Sequence, residues 1–267
     1  MTRRLSSPRA LGIAALPAFV IVVLPLVAVA WRAPWSNLWA AVSDETSRSA
    51  LKLSLRTSLI ATAMAFVFGT PLAWFLANAR FRGRSVVRAL CILPMVLPPV
   101  VGGVALLYAF GRRGLVGSLL DDWFGIRLAF SEAGAVLAEF FVAAPFFIVV
   151  MEAAFESIDS RLVGTARTFG SGPWKTFFTV SLPLVRTSLI AGLALTWARA
   201  LGEFGATITF AGNTPGRTQT VPLAVYSALE SGNDSAIALS LLMMIVSVVV
   251  LVVLRNRWVE PLKRGGA

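Results

Sequence analysis

Apolar residues in this 267-residue chain are gathered into blocks of about 20, the length that an α-helix needs to cross the hydrocarbon core of a bilayer. Hydrophobic residues make up 57% of the chain, above the roughly 45–50% of ordinary soluble domains. Because helices satisfy their backbone polar groups internally, the sequence predicts an all-α, polytopic membrane protein. The six predicted spans are at about 10–31, 55–78, 87–110, 131–153, 185–211 and 235–255.

The first apolar block could be a signal peptide, because arginines precede it and Ala28-Val29-Ala30 resembles a cleavage site. Its apolar stretch of about 20 residues is longer than the roughly 7–15 of a signal sequence. We therefore expect a retained span at about 10–31, in front of a core of the remaining spans at about 50–255. The whole chain, 1–267, is predicted to form one transmembrane domain.

The distribution of positive charge predicts the orientation. Most of the 24 Lys and Arg residues fall in the N-terminal segment, in the loops around residues 80 and 170, and in the C-terminal segment. Basic residues favour the cytoplasmic side, so both termini are expected there. A net charge of +11 can also indicate nucleic-acid binding. Here the arginines flank the spans, as membrane orientation requires, and no nucleic-acid partner is expected.

The remaining loops are candidate contact surfaces. The outer loops, at about 32–54, 111–130 and 212–234, are expected to dock an external partner. Residues 51–58 read LKLSLRTS and alternate apolar with polar side chains, so this piece before the second span is predicted to run along the membrane interface.

Several kinds of chemistry lack the residues they need. The chain has no histidine and a single cysteine, Cys91, which argues against zinc, haem and an internal disulfide. Residues 170–176 read GSGPWKT and end like a phosphate-binding loop. Trp174, however, occupies the position where that loop needs glycine, and no strand precedes it. We expect no bound cofactor, so any ATP would be used by another subunit.

One loop is long enough to present a folded surface on the cytoplasmic side. Residues 164–183 read GTARTFGSGPWKTFFTVSLP and predict a short helix, a Gly-Ser-Gly-Pro turn and a second short helix. Ala166 and Gly170 on one helix face would let a partner approach closely. The two glycines of the turn allow a sharp exit, and the proline can begin the next helix. Phe177 and Phe178 are expected to anchor the second helix to the spans.

The spacing of Ala, Gly, Val and Leu-Pro in this loop resembles the signature loop of bacterial importer permeases driven by ATP-binding cassettes. The segment departs from that family at its start, where Gly164 and Thr165 stand in place of Glu and Ala. The resemblance implies that this coupling loop docks a separate ATPase subunit. The residues expected to serve that contact are Gly164, Thr165, Ala166, Gly170, Gly172, Pro173, Phe177, Leu182 and Pro183.

Charged residues inside the predicted spans form a second candidate site. Arg199 and Glu203 lie four residues apart on one predicted helix face and can pair. Charges at such depth either form a self-neutralising structural pair or line a polar pathway, and both interpretations stay open. Gly202 and Gly205 permit either tight helix contact or backbone exposed to the solute. Glu139 is a lone carboxylate, expected to pair with an arginine of another span or to face the cavity.

The third predicted span contains prolines that suggest a bent helix near the pore, although a packing kink would explain each one separately. Pro94, Pro98 and Pro99 free backbone carbonyls that only protein or a cavity can cover. The residues predicted to lie near the translocation pathway are Arg199, Gly202, Glu203, Gly205, Thr207 and Pro98.

Two further segments resemble the molybdate and sulfate permeases: ARALGEFGATITFAGN at 198–213 and RTQTVPLAVYSALESGNDSAIALSL at 217–241. The similarity extends over about residues 45–255. It implies an oxyanion importer, for molybdate or tungstate, in a bacterial inner membrane. The implied partners are a second copy of the chain, two ATPase subunits that use ATP-Mg, an extracytoplasmic molybdate-binding protein and membrane lipid.

Three alternatives stay open at this point. The substrate could be sulfate or thiosulfate within the same family. A secondary transporter could instead couple to protons through Glu139 or Glu203, and a structural membrane protein would carry no solute. A docked ATPase would distinguish an ATP-driven importer from the secondary transporter and from the structural protein.

Overall fold

The computed structural model describes residues 9–233 and 235–264, so Arg3 and Arg4, two of the arginines that precede the first apolar block, lie outside the described residues. No strand occurs among those residues, and the predicted all-α class is confirmed. In chain order the α-helices are α1 (Arg9–Arg32), α2 (Leu38–Ser43), α3 (Glu45–Met64), α4 (Thr70–Asn78), α5 (Arg84–Val96), α6 (Pro99–Phe110), α7 (Gly117–Phe124), α8 (Glu132–Glu156), α9 (Ser160–Thr168), α10 (Pro173–Thr176), α11 (Leu182–Leu184), α12 (Arg186–Leu201), α13 (Gly205–Phe210), α14 (Val221–Glu230) and α15 (Ser235–Arg264).

Helices α3 and α4 run together as one long helical segment, joined by a π-helical turn at Ala65–Gly69. The small polar residues Ser54 and Thr57 are buried, whereas Leu55 and Leu59 are exposed. This is the pattern of a helix that meets protein on one face and lipid on the other. The expectation that residues 51–58 run along the membrane interface is therefore wrong, because they belong to a helix packed inside the bundle.

Helix α8 occupies the centre of the bundle and packs against α3, α4, α5, α12 and α13. Its N-terminus is capped by Ser131, whose side chain accepts a hydrogen bond from the Gly134 backbone N–H. Its inner face carries Phe147 and Met151, which are fully buried in a cluster with Leu76 of α4. Movement of α8 would therefore displace most of the other spans.

The third predicted span is two helices rather than one bent helix. Helices α5 and α6 meet at an angle of 118°. Leu97 and Pro98 are extended at the junction, and Pro99 begins α6. A residue that precedes proline is pushed out of the helical region, and the Pro-Pro pair therefore ends α5. Pro94 lies inside α5 without ending it.

The fifth predicted span, at 185–211, is also broken. The segment Pro173–Leu184 meets α12 at 75°, and α12 ends at Leu201 before α13 begins at Gly205. The three residues between α12 and α13 form a turn at which the backbone leaves and re-enters the helical path. The prediction that Arg199 and Glu203 share one helix face is therefore wrong, because α12 ends before Glu203.

Within residues 9–233 and 235–264, four helical segments are long and apolar enough to cross a bilayer, and the two bent pairs would raise that number to six. These four are Ala15–Arg32, Glu45–Asn78, Glu132–Glu156 and Ser235–Val252. The count of six spans therefore stays a prediction, whereas the multi-pass character is plain.

Candidate transport site and coupling loop

The coupling loop, residues 164–183, begins within α9, a helix that is capped at both ends. The side chain of Asp159 accepts a hydrogen bond from the Arg161 backbone N–H at 2.9 Å, which satisfies one free donor of α9. At the other end, the N–H of Gly170 bonds to the carbonyl of Arg167 and that of Ser171 to the carbonyl of Ala166. This pair of bonds is the Schellman motif, which places a left-handed residue just after the helix.

Gly170 is that left-handed residue, with φ +81°. It follows the end of α9 and so does not share a helix face with Ala166, contrary to the sequence-based expectation. The close-approach role predicted for the pair therefore falls to Ala166 alone. Gly172 has an extended conformation that any residue can adopt, and Pro173 opens α10 as predicted. Of the two glycines, only Gly170 is required by the backbone.

The second half of the loop is fastened to the bundle by Phe177 and by Leu182, which both pack against the buried cluster of α4 and α8 residues. The ring of Phe177 packs edge-on against Trp74 of α4 with centroids 5.9 Å apart, and lies 6.1 Å from the ring of Phe155 on α8. Phe178 points outward and is largely exposed. The prediction that both phenylalanines anchor the helix thus holds for Phe177 only.

The outward face of the loop is rich in exposed apolar side chains. Phe169 is 85% exposed, and Leu162 and Trp174 are also open to the surroundings. Gly164 and Thr165, which replace the family Glu and Ala, are exposed as well. Near the end of the loop Leu182 is partly buried and Pro183 is exposed. Such a surface is available to a partner subunit.

The Arg199–Glu203 pair forms, although Glu203 lies beyond the end of α12. A guanidinium nitrogen of Arg199 is 2.6 Å from Glu203 Oε2. The other carboxylate oxygen, Oε1, accepts a hydrogen bond from the Ala206 backbone N–H at 2.9 Å. Glu203 is only 1% exposed. The same carboxylate therefore neutralises an arginine and caps α13, and it holds the break between α12 and α13 in place.

The other predicted pathway residues divide between surface and interior. Gly202 and Pro98 are exposed, whereas Gly205 and Thr207 are buried. A β-carbon added to Gly205 would lie 2.5 Å from Cβ of Pro99. The structure thus brings the two breaks of the bundle, at Pro98 and at Gly202–Phe204, close together.

Glu139 has neither of the partners expected for it. It is 1% exposed, and among the described residues it forms no ion pair with an arginine. Its Oε1 lies 2.8 Å from the hydroxyl of Thr57 on α3, and its Oε2 has no hydrogen-bond partner within the described part of the chain. This carboxyl group therefore links α8 to α3 and does not face open space in the subunit.

Sequence reasoning missed a cluster of charges where the end of α8 meets the start of α5. Arg88 donates from Nε to Glu152 Oε1 at 2.9 Å and from Nη2 to Glu156 Oε1 at 2.9 Å. Arg84 also pairs with Glu156. We call these four residues the arginine–glutamate cluster. A signal was present, because both the arginines and the glutamates are four residues apart, the spacing that shares a helix face.

Another ion cluster lies in the predicted outer loop at 111–130. Arg127 and Arg112 donate to the two carboxylate oxygens of Asp121 at 2.9 and 3.0 Å. The hydrogen bonds from Arg127 and Arg112 lower the pKa of the Asp121 carboxyl. Two neighbouring aromatics, Trp123 and Phe124, are exposed on α7. This loop therefore has a fixed shape with an apolar outer surface.

Comparison with known proteins places the chain in a family. The model of the family described as binding-protein-dependent transport system inner membrane component matches residues 69–265. The chain belongs to this family. It is a transport subunit, as the loop resemblance implied, and a multi-pass membrane protein.

Two relatives match almost end to end. The molybdenum transport system permease protein ModB of Mycobacterium tuberculosis is 43% identical over 243 residues, which cover 91% of this permease and 92% of the relative. The protein of the same name from Escherichia coli is 41% identical over 218 residues, covering 82% of this permease and 95% of the relative. The predicted family resemblance is confirmed.

Solved structures share the fold of this permease. A bacterial ABC transporter involved in the import of the polysaccharide alginate matches with a TM-score of 0.73 at 18% identity, covering 92% of this chain and 94% of that one. The MetNI methionine ABC transporter, in inward-facing conformations, matches with a TM-score of 0.59 at 18% identity, covering 78% and 94%. At this identity the likeness concerns the fold alone.

Proposed function

We propose that this permease imports molybdate or tungstate as one half of a homodimeric, ATP-driven transporter. The observation that carries the proposal is identity above 40% to two proteins named as molybdenum transport permeases, over 91% and 82% of this chain and 92% and 95% of theirs. An extracytoplasmic binding protein would deliver the oxyanion, and two ATPase subunits would use ATP-Mg. The transporter would lie in the bacterial inner membrane with both termini in the cytoplasm, as the positive charge favours.

The coupling loop is the surface on which we place the ATPase. Its exposed Phe169 and Trp174 flank a helix fixed at both ends, and Phe177 ties it to α4 and α8. A partner that moves this loop would therefore also move α4 and α8, because the loop packs against both helices. ATP binding would close the ATPase pair and move the loops, opening the pathway outward, and hydrolysis would reset it.

The charges at the break between α12 and α13 are consistent with weak binding of an anion. Arg199 alone would attract an oxyanion, but Glu203 neutralises it at 2.6 Å. A pathway that binds its ion weakly lets it leave, as conduction requires. Selectivity would therefore lie mainly in the binding protein. Whether the pair also lines the pathway is part of this proposal.

The test is uptake of labelled molybdate into proteoliposomes that contain the permease, its ATPase and its binding protein. We expect uptake that needs ATP, is blocked by tungstate and survives an excess of sulfate. Competition by sulfate would favour the sulfate or thiosulfate alternative. Uptake that continues without ATP and collapses with an uncoupler would favour a proton-coupled transporter and contradict the proposal.

The docking role of the coupling loop has its own test. Phe169→Ala should lower the amount of ATPase that copurifies with the permease, because Phe169 is 85% exposed and contributes little to the fold. Trp123→Ala on α7 is the matched control, since Trp123 is 78% exposed in a predicted outer loop. Equal amounts of copurified ATPase from both variants would show that Phe169 does not contribute to the ATPase interface.

A further inference from the structure

The arginine–glutamate cluster lies beside the coupling loop but is not part of it. Only Ser157, Ile158 and Asp159 separate the end of α8 from the start of the first loop helix, α9. Glu152 is buried at 5% exposure, and its carboxylate is reached by both arginines of α5. A buried charge with several partners holds its geometry far more firmly than an exposed pair.

The arginine–glutamate cluster joins the end of α8, just before the coupling loop, to α5, the first helix of the broken third span. Phe155, one residue before Glu156, also contacts Phe177 of the coupling loop. Movement of the loop therefore reaches α8 at the point where α5 is clamped to it. Val87 and Cys91 of α5 pack against the buried core around α8, so the clamp continues into apolar packing.

From α5 the chain continues through the extended residues Leu97 and Pro98 into α6, which lies beside the break that holds the Arg199–Glu203 pair. Helix α6 packs on α13 almost backbone to backbone. A β-carbon added to Gly103 would lie 2.5 Å from Cβ of Thr209, and one added to Gly205 would lie 2.5 Å from Cβ of Pro99. Contacts this close leave little room for independent sliding.

We propose that the arginine–glutamate cluster is a rigid joint that transmits movement of the coupling loop through α5 and α6 to α13. Its four members are positioning residues: they touch neither the oxyanion nor ATP, and they couple the two ends of the permease. The proposal rests on the proposed function for its transport readout.

The main variant is Glu152→Gln, which removes the buried charge and keeps the shape. In proteoliposomes with the ATPase and binding protein, we expect molybdate uptake to fall about tenfold while basal ATP hydrolysis and bound ATPase stay within about twofold. The matched control is Glu132→Gln at the opposite end of α8, where Glu132 pairs with Arg56 at 3.1 Å on the surface. This control should transport normally.

A fourfold exchange tests whether pairing, rather than any single side chain, matters. Exchanging Arg84→Glu and Arg88→Glu together with Glu152→Arg and Glu156→Arg restores every pair with reversed sign. We expect this variant to recover most of the uptake that Glu152→Gln loses. Three results for Glu152→Gln would contradict the proposal. These are normal transport, loss of the bound ATPase, and a loss of uptake that is matched by an equal loss of ATP hydrolysis.

A second measurement does not depend on the substrate. A spin label at Tyr108→Cys, on the exposed face of α6 and in a Cys91→Ser background, reports the distance between the two α6 helices of the dimer. ATP should change this distance in the parent and in Glu132→Gln, but not in Glu152→Gln. If the parent takes up no molybdate yet shows this pattern, the substrate proposal fails and the joint stands. An equal ATP response in all three would overturn the joint.

Discussion

Glu139 in α8 and Glu203 in the turn between α12 and α13 are the same residue type and are each only 1% exposed, yet their surroundings differ. Glu203 has an arginine on one oxygen and a backbone N–H on the other. Glu139 has one hydroxyl, that of Thr57, on one oxygen. The first carboxylate is compensated by a full charge, whereas the second depends on a neutral group.

The comparison shows that burial alone does not define what an intramembrane carboxylate does. Glu203 sits where the helix is broken, so free backbone donors are present for it to cap. Glu139 lies in the middle of α8, where the backbone donors are already used by the helix. The contrast predicts that the Glu203 region is sensitive to loss of charge and the Glu139 region mainly to loss of a hydrogen bond.

The largest effect is expected from Glu203→Ala. The substitution leaves Arg199 without its anion and α13 without its cap, and removal of one partner of a buried pair costs about 3 kcal/mol. The measurement is the free energy of unfolding of the purified permease in detergent. The exposed Glu45→Ala serves as the control and should change it by less than about 0.5 kcal/mol.

A double-mutant cycle separates charge pairing from capping at Glu203. Glu203→Gln keeps an oxygen for the Ala206 N–H but loses the ion pair, and Arg199→Met removes the other charge. Because Arg199 is 27% exposed along its side chain, we expect a coupling free energy of about 1–2 kcal/mol. Additive losses from the two single variants would mean that the pair contributes no stability.

The Glu139 region should respond to its hydroxyl partner. Thr57→Val keeps the shape of the side chain and removes the only hydrogen bond described for the Glu139 carboxyl. The cost should be about 1 kcal/mol in the free energy of unfolding, since a buried polar group loses its partner. Thr57→Ser retains the hydroxyl and should recover at least half of that loss.

The smallest effect is expected from Glu139→Gln. The amide can donate to the Thr57 hydroxyl, which leaves the Thr57 proton for the Leu53 carbonyl at 3.0 Å. Molybdate uptake should stay within about twofold of the parent, the scale of a change under roughly 0.5 kcal/mol. A tenfold loss without unfolding would show that the carboxyl itself is needed, and would revive the proton-coupled alternative.

Local sequence signals predicted the coupling loop better than the membrane core. Gly170 and Pro173 act on their immediate neighbours, by allowing a left-handed residue and by starting a helix, and both effects appear in the structure. The helix break after Leu201 was missed. At this break the Glu203 side chain accepts a hydrogen bond from the Ala206 backbone N–H, which hydropathy cannot show because Glu203 is flanked by apolar and small residues.

The partners of the buried charges could not be predicted from one sequence. Thr57 and Glu139 are 82 positions apart, and Arg88 and Glu152 are 64 apart. Spacing within each helix shows which residues share a face, but not which face of another helix will meet them. The expectation that Glu139 pairs with an arginine failed for this reason.

The sequence by itself determined the class of the protein, the approximate position of its apolar segments and its transporter family, because segment length, hydropathy and short motifs are local properties of the chain. Only the tertiary structure decided where the spans break, which carboxyl group is paired with charge and where α5 is clamped to α8. These features depend on the desolvation of polar groups between helices, and a buried charge is stable only where the fold brings it a partner.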